Sequence, residues 1–160
     1  MITLQAPGVR VAATAVITPR PAPGTAVERS GAVSNTVLLS TRYNLDTPRG
    51  AAAAKFLLQD LGGRLGLERR HHAHVPGTDF LDGEETSASL AARAALEALA
   101  AAGLRAPDLG LLICATSTPH RWTSTSSAAT AQLMGADIPF MDLRMGCAAG
   151  TAALLHGALM

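Results

Sequence analysis

The order of elements in the second half of this sequence predicts an α/β fold with a mostly parallel, covered sheet. Three observations carry that expectation. Thr86 to Ala102 reads as a helix: Thr86 or Ser87 caps it, Gly103 follows its last turn, and Leu90, Ala94 and Ala98 recur every four residues beside Ala91, Ala95 and Leu99. Leu109 to Ala115 and Pro139 to Met145 have the length of strands, and a helix from Ser124 to Met134, ended by Gly135, separates them. Gly146-Cys147 then turns the second run into a helix, Ala148 to Met160, that is apolar on every side and so belongs in a core.

The first half is less regular. Val9 to Ile17 is a β-branched run ended by Thr18-Pro19 and reads as a strand, and Pro19 to Gly24 as a turn. Val33 to Ser40 reads as a second short strand or a loop edge. Gly50 to Leu61 has good helix formers and stops at Gly62-Gly63. His71 to Glu85 reads as a loop, with Pro76-Gly77 and Asp82-Gly83 as turn signals.

Composition narrows the function classes. The chain has 160 residues, 48% of them hydrophobic, enough for a core of its own. Its formal net charge of +1 gives no reason to expect a nucleic-acid or anionic-membrane surface. Arg64, Arg69, Arg70 and the neighbouring histidines are its one basic cluster and read as a solvated loop. Two cysteines, Cys114 and Cys147, without a secretory signal or disulfide-like spacing, predict a reducing, cytoplasmic setting. The longest apolar run, Ala148 to Met160, is too short to span a bilayer, so no membrane partner is expected.

Cys147 is the candidate for chemistry. It lies where a strand gives way to a helix, after a glycine that permits a tight turn. Unpaired N–H groups and the positive dipole end at a helix start favour the thiolate, which is the attacking form. A backbone N–H at such a turn also donates to an oxyanion. Ala148, Ala149 and Gly150 leave room for a substrate arm. The competing reading is a buried, inert thiol, as Cys114 in mid-strand is expected to be. A nucleophile needs a base or an activating donor, and none is found. His156 is nine residues on, roughly 13 Å along the helix axis and about 180° around it. His71, His72 and His74 lie in a loop, and H-H-x-H lacks the spaced pairs of a metal site, so no metal is expected.

Read in order along the chain, these segments resemble β-ketoacyl-ACP synthase III. Arg64-Leu-Gly-Leu67 with Glu68-Arg-Arg70 resembles the family's R-T-G-I and the arginine-rich stretch after it. Glu85-Thr86-Ser-Ala-Ser-Leu-Ala91 resembles E-T-x-S-D-L-A, and Ile113-Cys-Ala-Thr-Ser-Thr-Pro119 resembles V-A-T-S-T-P. Ser124 onward, with Gln132-Leu-Met-Gly-Ala136, resembles the second helix. Asp142 to Gly150 resembles the active-site segment D-x-x-x-x-C-x-G. G-C-A-A-G is also similar to the G-C-x-A-G of type III polyketide synthases on the same fold.

The resemblance implies a thiolase-like fold, two similar halves in α/β/α/β/α layers. Residues 1–160 would be its N-terminal half, ending within the helix that carries the nucleophile. It implies that Cys147 accepts an acyl group as a thioester from acyl-CoA or an acyl carrier protein, with no cofactor. It also implies condensation with a malonyl-type carbon nucleophile, as in fatty acid or polyketide biosynthesis, or transfer to a hydroxyl or amine. A homodimer is implied, and a missing C-terminal half carrying the family's His and Asn, which accounts for the absent base. Arg64 and Trp122 are the implied substrate-binding residues, the latter at about the place of an aromatic that closes the partner's acyl pocket. Two departures, Asp60 at about the place of a Trp that stacks on the CoA adenine and Leu65 for the Thr of R-T-G-I, favour a carrier-protein donor. The competing function is a non-catalytic partner subunit. A cysteine hydrolase would expect G-x-C-x-G, not G-C-A-A-G.

Overall fold

Most helices of this chain begin where a hydroxyl or a proline stands at their first turn. The structure, a computed structural model, describes residues 9–20, 32–72, 85–119 and 123–160. The chain divides into two compact units, residues 18–85 and residues 1–17 with 86–160.

In the unit of residues 18–85, strand β1 (Ala32–Ser34) pairs antiparallel with β2 (Arg69–His71), Ala32 opposite His71 and Ser34 opposite Arg69. Only the first two residues of the expected strand Val33 to Ser40 are extended. The Ser34 hydroxyl accepts the Val37 N–H at 3.3 Å and starts helix α1 (Asn35–Arg42) at once. Thr47 caps α2 (Pro48–Ala54), whose Pro48 sits in the first turn, where a missing N–H costs nothing. Helix α2 runs directly into a π-helical segment, Lys55–Gly63. The stop expected at Gly62-Gly63 comes instead at Gly66, which takes a φ of 67°. Gly62 is buried, and a Cβ there would lie 3.3 Å from the Leu57 carbonyl oxygen.

Asn35 ties this unit together. It is buried; its Nδ2 donates to the carbonyls of Leu57 at 3.0 Å and Leu67 at 2.7 Å, and its Oδ1 accepts from the Arg70 guanidinium. Its backbone N–H donates to Glu68 O at 3.0 Å. One side chain thus satisfies a carbonyl inside the π-helical segment and another beyond its end, groups that would otherwise be costly to bury. Of the expected loop His71 to Glu85, residues 73–84 lie outside the described residues.

In the other unit, residues 9–17 form no strand. Residues 13, 15 and 17 are half-buried and 12, 14 and 16 exposed, the period of extended backbone, but the described chain hydrogen-bonds no partner to them. Helix α3 (Ser87–Ala102) opens on a capping box in which Thr86 and Ser89 satisfy each other's N–H groups. It closes on Gly103 at φ 71°. Strand β3 (Leu112–Ala115), helix α4 (Ser126–Met134, capped by Thr125 and ended by Gly135 at φ 66°) and strand β4 (Phe140–Leu143) follow. Strands β3 and β4 are parallel, Leu112 opposite Phe140 and Ala115 opposite Leu143.

A small core of Ala92 and Leu99 from α3, Ala106 and Met134 of α4 is packed on by Leu112 of β3. A short 3₁₀ turn, Gly146–Ala148, leads from β4 into α5 (Ala149–Leu159). Side chains alternate across β3: the Cys114 thiol meets Thr130 of α4, whereas Ile113 Cδ1 lies 3.8 Å from where a Cβ of Gly157 in α5 would be. The unit is therefore layered, α3 and α4 on one face of the strands and α5 on the other.

One expectation fails within this unit. Helix α5 has no polar face, yet only Ala149 in it is buried; Leu154 is 73% exposed and Leu159 67%. The strands cover one side of the helix, and the described residues supply nothing for the rest.

Candidate functional site

The element that positions Cys147 is held by an aspartate five residues earlier. Asp142, in β4, points its carboxylate at the start of α4 and accepts the backbone N–H groups of Ser126 at 2.9 Å and Ser127 at 2.8 Å. Those are orphan donors of a helix N-terminus, and their positive dipole end favours an anion. Arg144 adds a contact at 3.3 Å, and its guanidinium also donates to Ser124 O at 3.2 Å. Burial pushes the Asp142 carboxyl up, but the Ser127 hydroxyl and N–H, the Ser126 N–H and Arg144 outweigh it and hold it below the usual carboxylate range.

A carboxyl depressed on folding contributes stability that is complete above its unfolded value and lost as pH falls through the folded one. The Asp142 contribution is therefore present at neutral pH and disappears only below about pH 4. Asp142→Ala is expected to lower stability at pH 7 by about 2–3 kcal/mol, because two helix N–H groups lose a charged acceptor. As pH falls below about 4 the gap between the two proteins is expected to narrow, as chemical denaturation across that range would show.

From Asp142 the chain runs through Arg144 and Met145 to the turn. Gly146 takes a φ of 55°, a conformation other residues resist, so the glycine is required there. Ala148 N–H closes the turn on Met145 O at 3.2 Å. The Cys147 N–H precedes that bond and has no backbone acceptor among the described residues. Cys147 itself is exposed. A thiol at the C-terminal end of a parallel strand, with a free N–H beside it and open space around it, can attack a carbonyl and donate to the resulting oxyanion.

Cys114 is the contrasting case. Burial pushes its thiol up; the Thr130 hydroxyl, 3.7 Å away, opposes this, and the Asp142 charge adds to it. Such a thiol stays protonated and unreactive.

The other expected site residues lie elsewhere. Arg64 belongs to the unit of residues 18–85, follows the π-helical segment, and has an 81% exposed side chain that pairs with Asp60 at 3.9 Å. Arg69 and Arg70, expected in a solvated loop, belong to β2, where Arg70 is half-buried on Asn35. Trp122 and His74 lie outside the described residues. His156 is exposed on α5. Among the described residues no group of three or more His, Cys, Asp or Glu side chains could hold a metal, and no helix is long and apolar enough to cross a membrane.

Sequence reasoning missed the clamp of Asp142 and the hub of Asn35. The signal for the first was present: an aspartate inside a short apolar strand is depleted there unless something binds it. Asn35 carried no such mark.

No family model matches the chain. The mycobacterial β-ketoacyl-[acyl-carrier-protein] synthase III of Mycobacterium avium (strain 104) is 40% identical over 70 residues, 43% of this chain and 21% of that protein. The β-ketoacyl-[acyl-carrier-protein] synthase III of Allorhizobium ampelinum is 54% identical over 54 residues, 33% of this chain and 16% of that protein. Among solved structures, AbyA1, a tetronic acid condensing enzyme, superposes with a TM-score of 0.61 at 28% identity over 92% of this chain and 38% of that one. A variant of Xanthomonas campestris OleA superposes with a TM-score of 0.66 at 18% identity, over 94% and 38%. The chain thus spans about a fifth of the curated relatives it matches and about two fifths of the solved structures. Over that span the chain has part of a thiolase-like fold and resembles β-ketoacyl-[acyl-carrier-protein] synthase III.

Proposed function

We propose that this chain is the nucleophile-bearing half of a synthase III-like acyltransferase, with Cys147 forming the acyl-enzyme. The observation that carries the reading is the exposed cysteine on its glycine turn at the end of β4, in the segment Asp142 to Gly150. The Cys147 thiolate attacks the carbonyl carbon of an acyl thioester, and the donor thiol departs with a proton. A malonyl thioester then loses CO₂, and its carbanion attacks the acyl-cysteine carbonyl and releases the thiolate. Transfer to a hydroxyl or amine is the variant in which the acceptor's own proton is lost instead. The base and further donors come from a complementary half carrying a His and an Asn, in a cytoplasmic homodimer.

The donor is proposed to be an acyl carrier protein rather than free CoA. The guanidinium of Arg64 is paired with Asp60, so part of its charge is already answered at a place where a CoA-binding site would keep it for phosphate. The test is turnover by the complete protein on equal concentrations of acyl-carrier and acyl-CoA donors with a malonyl acceptor. One CO₂ per product and a higher kcat/KM for the carrier-bound donor are expected. Ester or amide formation without CO₂ would move the acceptor, and no turnover with either donor would leave the chain a non-catalytic partner.

Trp122 is proposed to shape the acyl pocket. Leaving a large ring in water costs roughly 1.5–3 kcal/mol, so it is expected to be covered. Trp122→Ala in the complete enzyme is expected to raise kcat/KM for longer acyl donors several-fold while short donors still acylate Cys147. An unchanged chain-length profile with lowered stability would make it a packing residue.

A further inference from the structure

Past the end of β4 the chain carries one more tie before the turn that presents Cys147. The strand pair closes with Thr116 N–H donating to Leu143 O at 3.2 Å. Arg144 and Met145 lie beyond β4, and Gly146 begins the turn. Arg144 reaches sideways from this stretch: its Nη2 donates to Ser124 O at 3.2 Å and to Asp142 Oδ2 at 3.3 Å. One nitrogen thus joins β4 to the chain that enters α4. The carboxylate it touches is itself fixed by the N–H groups of Ser126 and Ser127. The Arg144 side chain is exposed, and an exposed ion pair contributes little to stability. A tie at this place fixes a direction instead, because the thiol is three residues on.

We propose, on the reading of Cys147 as the nucleophile, that Arg144 is a positioning residue for acylation. By holding the exit of β4 against the chain that enters α4, it sets where the Gly146 turn starts. It thereby sets the line along which the Cys147 sulfur meets the thioester carbonyl. A displacement of about 1 Å at a reacting atom can cost on the order of 10²-fold in rate. The tie acts on attack and not on donor binding, because both of its acceptors, Asp142 Oδ2 and Ser124 O, belong to this chain. It acts through geometry and not through charge, since the guanidinium is turned to an aspartate that answers it.

The test compares Arg144→Met and Arg144→Lys with the unmodified sequence in the complete protein. With Arg144→Met, single-turnover acylation of Cys147 at saturating acyl-carrier donor is expected to slow about five- to ten-fold. The half-saturating donor concentration should stay within about two-fold, and the pH profile of the rate should not move. Arg144→Lys, whose single nitrogen can serve the same two acceptors, is expected to recover at least about half of the lost rate. In residue-resolved hydrogen exchange, the Thr116 amide is expected to exchange several-fold faster in Arg144→Met. The Leu112 amide, bonded to Pro139 O at the far end of the strand pair, should keep its rate. An acylation rate untouched by Arg144→Met would overturn the proposal. So would a pH profile that moves with the lost charge, a loss confined to donor affinity, no recovery with lysine, or equal loss of protection at Thr116 and Leu112, the mark of general destabilisation. If no donor acylates the unmodified protein, the reading of Cys147 fails by itself, and exchange still decides: an unchanged Thr116 amide would show that Arg144 does not hold the strand end. Should Arg144→Met not fold, Arg144→Gln replaces it with the same readouts.

Discussion

Cys147→Ala is expected to lower acyl transfer by the complete enzyme by at least about 10³-fold, because removing a covalent nucleophile removes the acyl-enzyme route and not merely a contact. The expectation rests on where the residue sits. Its turn is shaped by Gly146 at φ 55° and its strand is clamped by Asp142, so the thiol is held and exposed at once. KM for the donor should change little, since the substitution removes a sulfur atom and not the surfaces that bind the rest of the substrate. Cys114→Ala, by contrast, should leave kcat within about two-fold and cost only packing against Thr130.

Residues 1–160 expressed alone are expected to self-associate. Leu154 and Leu159 of α5, a helix with no polar face, and Met160 at its end are 73%, 67% and 85% exposed. Each such side chain gains about 1.5–3 kcal/mol on burial, so several of them left exposed on one helix favour association. Leu154→Ser with Leu159→Ser should shift the chain toward monomer in sedimentation by at least ten-fold in dissociation constant. The same pair should weaken capture of a co-expressed complementary half. A monomeric, cooperatively melting wild-type chain would show that α5 needs no cover.

How much of this was legible in the sequence depends on whether an element's cause is local. Helices α3 and α4 were readable because Thr86, Gly103, Thr125 and Gly135 cap and stop them within one turn of their ends. The glycine turn at Cys147 was readable for the same reason. Strand β4 was found but not its anchor, since the partners of Asp142 lie 15 and 16 residues away in α4. Val33 to Ser40 was misread because its β-branched and aliphatic content outweighed the single hydroxyl of Ser34 that starts α1. The halt at Gly66 was missed because Asn35, distant in sequence, takes up Leu57 O and Leu67 O and lets the helix widen and continue past Gly62. Helix α5 was read correctly as apolar all round. Its exposure depends on what covers it, which no local pattern encodes.

The most direct test of the account is where an acyl group lands. The chain with its complementary half is incubated with an acyl-carrier or acyl-CoA donor, digested at low pH to preserve thioesters, and mapped by mass spectrometry. The account predicts an acyl mass on the peptide containing Cys147, absent in Cys147→Ala and restored as the free thiol by neutral hydroxylamine. An adduct on Cys114, or acyl transfer that persists undiminished in Cys147→Ala, would contradict it.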